Sequence, residues 1–360
     1  MLKFLSIIGI IIETIAQSYL LECSIATIKE VAKKAGVSVS TVSHVVNGTR
    51  FVSEDLRNKV LPVLNSLDYQ PNRLAMGLRK KSSSAIGLIV ADITNPFFSE
   101  IAWRIENLCN QKNYSVMLCN TNGSPAKEDF YLNRLSEWQV DGIIMVSSST
   151  PAGHLHTFNK PEMPLTLIDI DSPGYEMDSI SVDNYSGGKL ASQHLASLGH
   201  KRIACISGSI ETRYNQGRLN GFRDGLQEAG IDIDETLIAR ADFNTFSGVN
   251  VANQLLEMKD RPTAIFACSD LLAYGVMKSA YLRGLIIPDD LSIVGFDDIF
   301  LSPYMNPPLT TIRQPIPELC EEAVNCFLTR KEDPGKASRM IKLTLHLEIR
   351  ESTAQLAKPV

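Results

Sequence analysis

The 360-residue chain has little that would staple a small fold or hold a metal. Its seven cysteines (Cys23, Cys109, Cys119, Cys205, Cys268, Cys320 and Cys326) are odd in number, form no C-x-x-C pair and sit mostly in apolar segments. That argues against a disulfide framework and for buried free thiols in a reducing compartment. The six histidines lack ligand spacing, so no zinc site is expected. The patterns G-x-x-x-x-G-K-[ST], H-E-x-x-H, G-x-S-x-G and G-x-G-x-x-G are absent, and Gly187-Gly188-Lys189-Leu190 lacks both the spacing and the hydroxyl of a phosphate loop. No enzyme, cofactor or metal is therefore expected. Disorder is excluded too: 44% of residues are hydrophobic and 21% charged. The length suits two to three domains at about 150 residues each.

A net charge of −5 alone argues against a nucleic-acid binder, but the charge is unevenly placed. Residues 26–81 carry ten basic and four acidic side chains, net +6, and the chain beyond them is at −10. A small basic module thus precedes a large acidic body. Ahead of both, Met1–Leu21 is mostly apolar. It can be read as a signal peptide, with a weak lipoprotein-like box at Leu20-Leu21-Glu22-Cys23 in which Glu22 is out of place. It can be read as a membrane anchor, weakened by Glu13. The third reading, and the one adopted as an expectation, is a misplaced gene start with translation beginning near Ile25.

The basic module reads as three short helices. Thr27-Ile28-Lys29-Glu30 is a capping box, and Ile28, Val31, Ala32 and Ala35 form an apolar stripe. Gly36 supplies a turn, and Ser38 caps a second helix over Val39–Val46 that Asn47-Gly48 closes. Ser53 is expected to cap a third helix to about Leu67, with Pro62 inside it. Two helices joined by a glycine turn form a helix-turn-helix. The second would enter a major groove, with Val39 against a thymine methyl, Ser40 and His44 against base edges, and Lys29, Lys33, Lys34, Arg50 and Arg57 on phosphates. A three-helix bundle with a solvated basic face is the alternative.

The run Ala26–Gly48, followed by Arg50-Phe51-Val52-Ser53 and Tyr69-Gln70-Pro71-Asn72-Arg73-Leu74-Ala75, resembles the head of LacI/GalR-family transcription regulators. Within that family it is most similar to ribose and purine operon repressors, which share the Ser43-His44 pair. The resemblance extends from residue 26 to about 353, and family members begin about where Ile25 stands. It implies operator contacts from Thr27, Ser38, Val39, Ser40, Thr41, Ser43, His44, Asn47 and Arg50. It also implies a hinge helix over Asn72 to about Lys80 that forms on DNA, with Leu78 wedged into the minor groove and Ala75 and Arg79 touching that groove. Met76 and Gly77 depart from the family, and Gly77 weakens such a helix by about 1 kcal/mol against Ala.

Past Ser82-Ser83-Ser84, short apolar strands alternate with amphipathic helices in two successive runs. That pattern predicts two doubly wound α/β lobes with covered parallel sheets and a ligand crevice at the strand C-termini. The resemblance implies a periplasmic-binding-protein-like body with three chain crossings. We expect the head over 25–71, the hinge over 72–83 and the body over 84–355. The first lobe is expected at about 84–184 and 296–316, the second at about 185–295 and 317–355. For the effector site the resemblance implies Asn95, the aromatic pair Phe97 and Phe98, Asp169, Arg218, Phe243, Asp270, Phe296, Asp297 and Gln314. Stacking aromatics suit the C–H faces of a sugar ring, and buried charged groups suit its hydroxyls. Ser269, Gln216 and Ile170 depart from ribose binders, and Thr212, Arg213 and Tyr214 depart from the purine pattern, so a neutral sugar or derivative is favoured.

The resulting expectation is a cytoplasmic, homodimeric repressor of a carbohydrate operon, bound to near-palindromic DNA and switched by a sugar-like effector. Dimer is preferred to tetramer because no leucine-heptad tail follows the body. A global catabolite regulator with a phosphoprotein corepressor remains an alternative, as does an anchored sugar-binding protein, which would leave the basic head without a purpose.

Overall fold

The computed structural model describes residues 26–48, 50–69, 82–146, 155, 163–170, 177–208 and 212–356. The expected hinge residues Ala75, Leu78 and Arg79, and the leader, lie outside these. The chain divides into two compact units at Ser83/Ser84.

In the first unit, helices α1 (Ile28–Ala35), α2 (Val39–Asn47) and α3 (Glu54–Ser66) enclose Val31, Ala32, Val42, Val45 and Val60. The capping box closes as its spacing requires. Glu30 N–H donates to Thr27 Oγ1 at 3.3 Å, and Thr27 N–H donates to Glu30 Oε2 at 2.7 Å. Gly36 takes the left-handed conformation, φ 64°, that lets α1 end and the chain turn into α2. Ser38 caps α2 by accepting from Thr41 N–H at 3.1 Å. Ser53 occupies the cap position of α3 but makes no side-chain cap bond, unlike the expectation. The acidic first turn, Glu54 and Asp55, offsets the helix dipole there instead. Pro62 is exposed and α3 runs through it.

The second unit opens with β1 (Ala85–Val90), α4 (Pro96–Gln111), β2 (Ser115–Asn120), α5 (Pro125–Glu137), β3 (Gly142–Val146), β4 (Leu165–Ile168) and β5 (Asp178–Val182). It continues through α6 (Asn184–Ser197), β6 (Ile203–Ser207), α7 (Arg213–Glu228), β7 (Ile238–Arg240), α8 (Thr245–Leu256), β8 (Ala264–Ala267), α9 (Asp270–Leu282) and β9 (Ser292–Asp297). Then follow β10 (Thr310–Arg313), α10 (Ile316–Glu332), β11 (Met340–Leu343) and β12 (His346–Glu348). Among the described residues two six-stranded sheets result, ordered β11-β5-β4-β3-β1-β2 and β12-β10-β9-β8-β6-β7. Their pairings are parallel except β10 with β12. The central strands β1, β3, β6, β8 and β9 are buried almost throughout, as sheets covered on both faces must be.

The lobe boundaries after residue 295 differ from the expectation. Residues 296–313 stay in the second lobe, because β10 pairs with β9 in the register Thr311↔Gly295. Residues 316–343 return to the first, because β11 pairs with β5 (Ile341↔Ile180) and Phe327 of α10 packs on Tyr114. Gly142 makes room for that ring: a Cβ there would lie 2.5 Å from it. The chain therefore crosses between lobes after β5, after β10 and after β11.

Candidate DNA-binding head and effector site

On the head, Val39 and Ser40 are exposed at the start of α2, and His44 is half-buried one turn on. Part of the expected base-reading set is tied up internally. Ser38 Oγ lies 2.7 Å from Ser40 Oγ and 2.8 Å from Thr41 Oγ1. Asn47 donates to Ser43 O at 2.9 Å and to Ser43 Oγ at 3.2 Å. Thr27 accepts from its own helix. Hydroxyls joined this way hold the recognition surface in place and keep lone pairs that can accept from a base N–H. Lys29, Lys33, Lys34, Arg50 and Arg57 are all exposed.

In the body, the sequence-expected residues fall at the C-terminal ends of strands. Asn95, Phe97 and Phe98 follow β1, Asp169 follows β4, Arg218 lies one turn into α7 after β6, Asp297 ends β9 and Gln314 follows β10. A chain of contacts joins most of them. Asn184 Nδ2 donates to Asp169 Oδ1 at 3.0 Å, and Asn184 Oδ1 accepts from Arg218 Nε at 2.8 Å. Arg218 Nη1 donates to Cys268 O at 2.6 Å and lies 3.9 Å from Asp297 Oδ1. Gln314 Nε2 donates to that same oxygen at 2.7 Å. The guanidinium sits over the Phe296 ring at 3.6 Å, with Tyr214 on another side at 5.5 Å. Tyr214 in turn stacks with Phe243, centroids 6.3 Å apart. Phe97 and Phe98 meet edge to face at 5.2 Å, with Phe97 part of the core. Asn95 Oδ1 is occupied in capping α4 through Phe97 N–H at 3.0 Å, which leaves its Nδ2 as the group it can offer.

Two expected contacts are corrected. Phe296 is wholly buried and forms the floor beneath Arg218, not a wall. Asp270 is also wholly buried, and protein donors take both its oxygens. Thr311 Oγ1 donates to Oδ1 at 2.6 Å, while Ser302 Oγ and Ile299 N–H donate to Oδ2 at 2.6 and 2.9 Å. It fastens α9, β10 and the segment after β9 together instead of facing a ligand. Asn184 and Tyr214 join the site although the sequence reading gave them no role. Asn184 was detectable in principle, since it stands at a strand end like the others.

The electrostatics set Asp297 and Asp270 apart. Burial pushes the Asp297 carboxyl up to about 6 against the opposing pull of Arg218 and Gln314. Burial, and the nearby Asp297 charge, push Asp270 up to about 8. Asp169, Asp297 and Asp298 all carry positive φ (55°, 118° and 56°), backbone strain gathered at the strand ends that bear the site. Gln314 Oε1 is buried without a hydrogen-bond partner. An acceptor left in that state calls for a donor from outside the protein.

A helix-turn-helix head ahead of two doubly wound lobes, with polar groups converging between strand ends, defines a ligand-responsive DNA-binding regulator. Residues 27–72 match the family described as bacterial regulatory proteins, lacI family, and residues 192–353 match a periplasmic binding protein-like domain. The HTH-type transcriptional repressor PurR of Photobacterium profundum is 39% identical over 332 residues, 92% of this chain and 99% of that protein. The Lac repressor dimer bound to operator and the anti-inducer ONPF superimposes with a TM-score of 0.81 at 28% identity, over 92% of this chain and 100% of that one. A LacI-family regulator from Enterococcus faecium with bound ribose gives a TM-score of 0.70 at 33% identity, over 76% and 100%. The chain belongs to the LacI family of DNA-binding transcriptional regulators. The relatives it matches end to end are regulators, not enzymes. Among the described residues no helix is long and apolar enough to cross a membrane.

Proposed function

We propose that this regulator is a cytoplasmic homodimer that represses a carbohydrate-utilisation operon and responds to a small neutral sugar held by Asp169, Arg218, Asp297 and Gln314. The observation that carries this reading is the balance of that cluster. Arg218 is neutralised by Asp297 and committed to Asn184 and Cys268 O, while Asp169 and the bare Gln314 Oε1 add acceptor capacity. Such a cluster rewards hydroxyl donors and offers a phosphate no surplus cation. Phe98, Phe243 and Tyr214 are half-buried rings that can cover the C–H faces of a sugar. The ribose bound by the Enterococcus faecium relative fits the same chemistry. The Lac repressor relative supports a dimer on operator DNA, in which two heads meet a two-fold site.

The identity with a PurR repressor favours a second reading, a purine effector. Thermal-shift titrations with ribose, other pentoses and hexoses, hypoxanthine and guanine separate the two. A ligand at 100 times its Kd adds about 2.7 kcal/mol. The sugar reading predicts a rise with at least one neutral sugar and none with the bases. A rise with hypoxanthine or guanine alone would replace it.

A further inference from the structure

Phe51 is the most exposed large apolar side chain among the described residues, at 94%. It lies between the C-terminus of α2 and the start of α3, directly after the exposed Arg50. Its neighbour Val52 packs on the head's core, so the segment is anchored on one side and presents the ring on the other. The head's other exposed large apolar side chains are Val39 and Leu61, at about half that exposure. One ring in such polar company is far too small for a stable protein interface. Arg50 precedes the ring directly, and Arg57 and Lys59 stand with Glu54 and Asp55 in the stretch that follows, in a module of net +6.

We propose that Phe51 is a contact to duplex DNA, its ring packed on deoxyribose C–H groups of the strand bordering the groove that α2 enters, beside a phosphate held by Arg50. This rests on the operator-binding reading and adds an apolar anchor to it. Sugar and phosphate contacts fix register and orientation without reading sequence, so the ring would set how α2 seats in the groove.

The test uses the full chain and a duplex enriched by it from a random-sequence library. Affinity is measured against salt for the wild type, Phe51→Ala, Phe51→Tyr and Arg50→Ala. A side chain this exposed can be truncated without disturbing the fold, which a melting curve verifies. Phe51→Ala should weaken binding about tenfold at every salt, with the salt slope unchanged, because no counterion is released by a ring. Phe51→Tyr, which keeps the ring, should restore most of the loss. Arg50→Ala should instead reduce the slope by about one. Equal affinity of Phe51→Ala and wild type at all salts would overturn the contact, as would an altered sedimentation coefficient of Phe51→Ala without DNA, which would place the ring between copies. Failure of the wild type to enrich any duplex would overturn the operator reading itself.

Discussion

Asp270 shows what one buried carboxyl can do beside a binding site. It holds Thr311 three residues before Gln314, and Ile299 and Ser302 just after Asp297, so both groups proposed to meet the effector depend on it. A folded-state carboxyl raised to about 8 binds more protons than in the unfolded chain from about pH 4 upward. Its contribution to stability therefore falls as pH rises through that window. His194 and His200, both lowered by burial, act in the opposite direction, because they must shed protons to fold. Comparison with Asp270→Asn isolates the carboxyl. The variant can donate to Thr311 and accept from Ile299 and Ser302, and its stability should gain on wild type between pH 4 and 8 in denaturant titrations. A difference that is flat with pH would mean Asp270 is ionised in the fold. Asp270→Ala leaves three donors unanswered and should destabilise by about 3 kcal/mol or more. For Arg218→Ala we expect a loss of ligand-induced thermal shift, because it strips Asp297 of its counter-charge; a retained shift would move the pocket elsewhere.

At the scale of elements, α6 and α7 come close enough that only glycine fits between them. A Cβ at Gly188 would lie 1.9 Å from Arg218 O, and one at Gly221 equally close to Tyr185 O. Gly188→Ala must push apart the two helices that bring Asn184 to Arg218. It should cost about 1–3 kcal/mol and weaken effector binding more than a distant core change of equal stability cost; a stability loss with unchanged affinity would show that the helix spacing is not what positions the site. On the head, Ser38→Ala removes the cap of α2 and should cost about 1 kcal/mol by thermal melting. These elements also mark how far the sequence could be read. The capping box, the glycine turns and the fully apolar strands speak through local chemistry, so α1 and α2 fell where they were expected and the alternation of apolar strands with helices was legible. The lobe assignment after residue 295 did not, because β10 and β11 are short and could pair with either sheet. Only non-local facts decide, namely Thr311 opposite Gly295 and Phe327 over Gly142. The site was legible as a set of residues at strand ends. The burial that removes Asp270 and Phe296 from the ligand surface was not, since no local pattern distinguishes a carboxylate facing a cleft from one facing a threonine and a serine.

For the whole molecule, function depends on two folded units sharing one chain. The head supplies a capped recognition helix within a basic module. The body supplies a cluster of acceptors at the crossings between its lobes. A regulator exists only if occupancy of one changes the affinity of the other, a coupling that is reciprocal and typically worth 5- to 150-fold, or about 1–3 kcal/mol. The most direct test is the affinity of the full chain for its library-selected duplex and for a scrambled duplex, measured at one fixed salt with and without saturating ribose, and then with each sugar that raises the melting temperature. The account predicts a preference for the selected duplex of at least about a thousandfold, and a change of at least about fivefold in that affinity when the effective sugar is present. Equal affinity for both duplexes, or an affinity that no stabilising ligand alters, would contradict it.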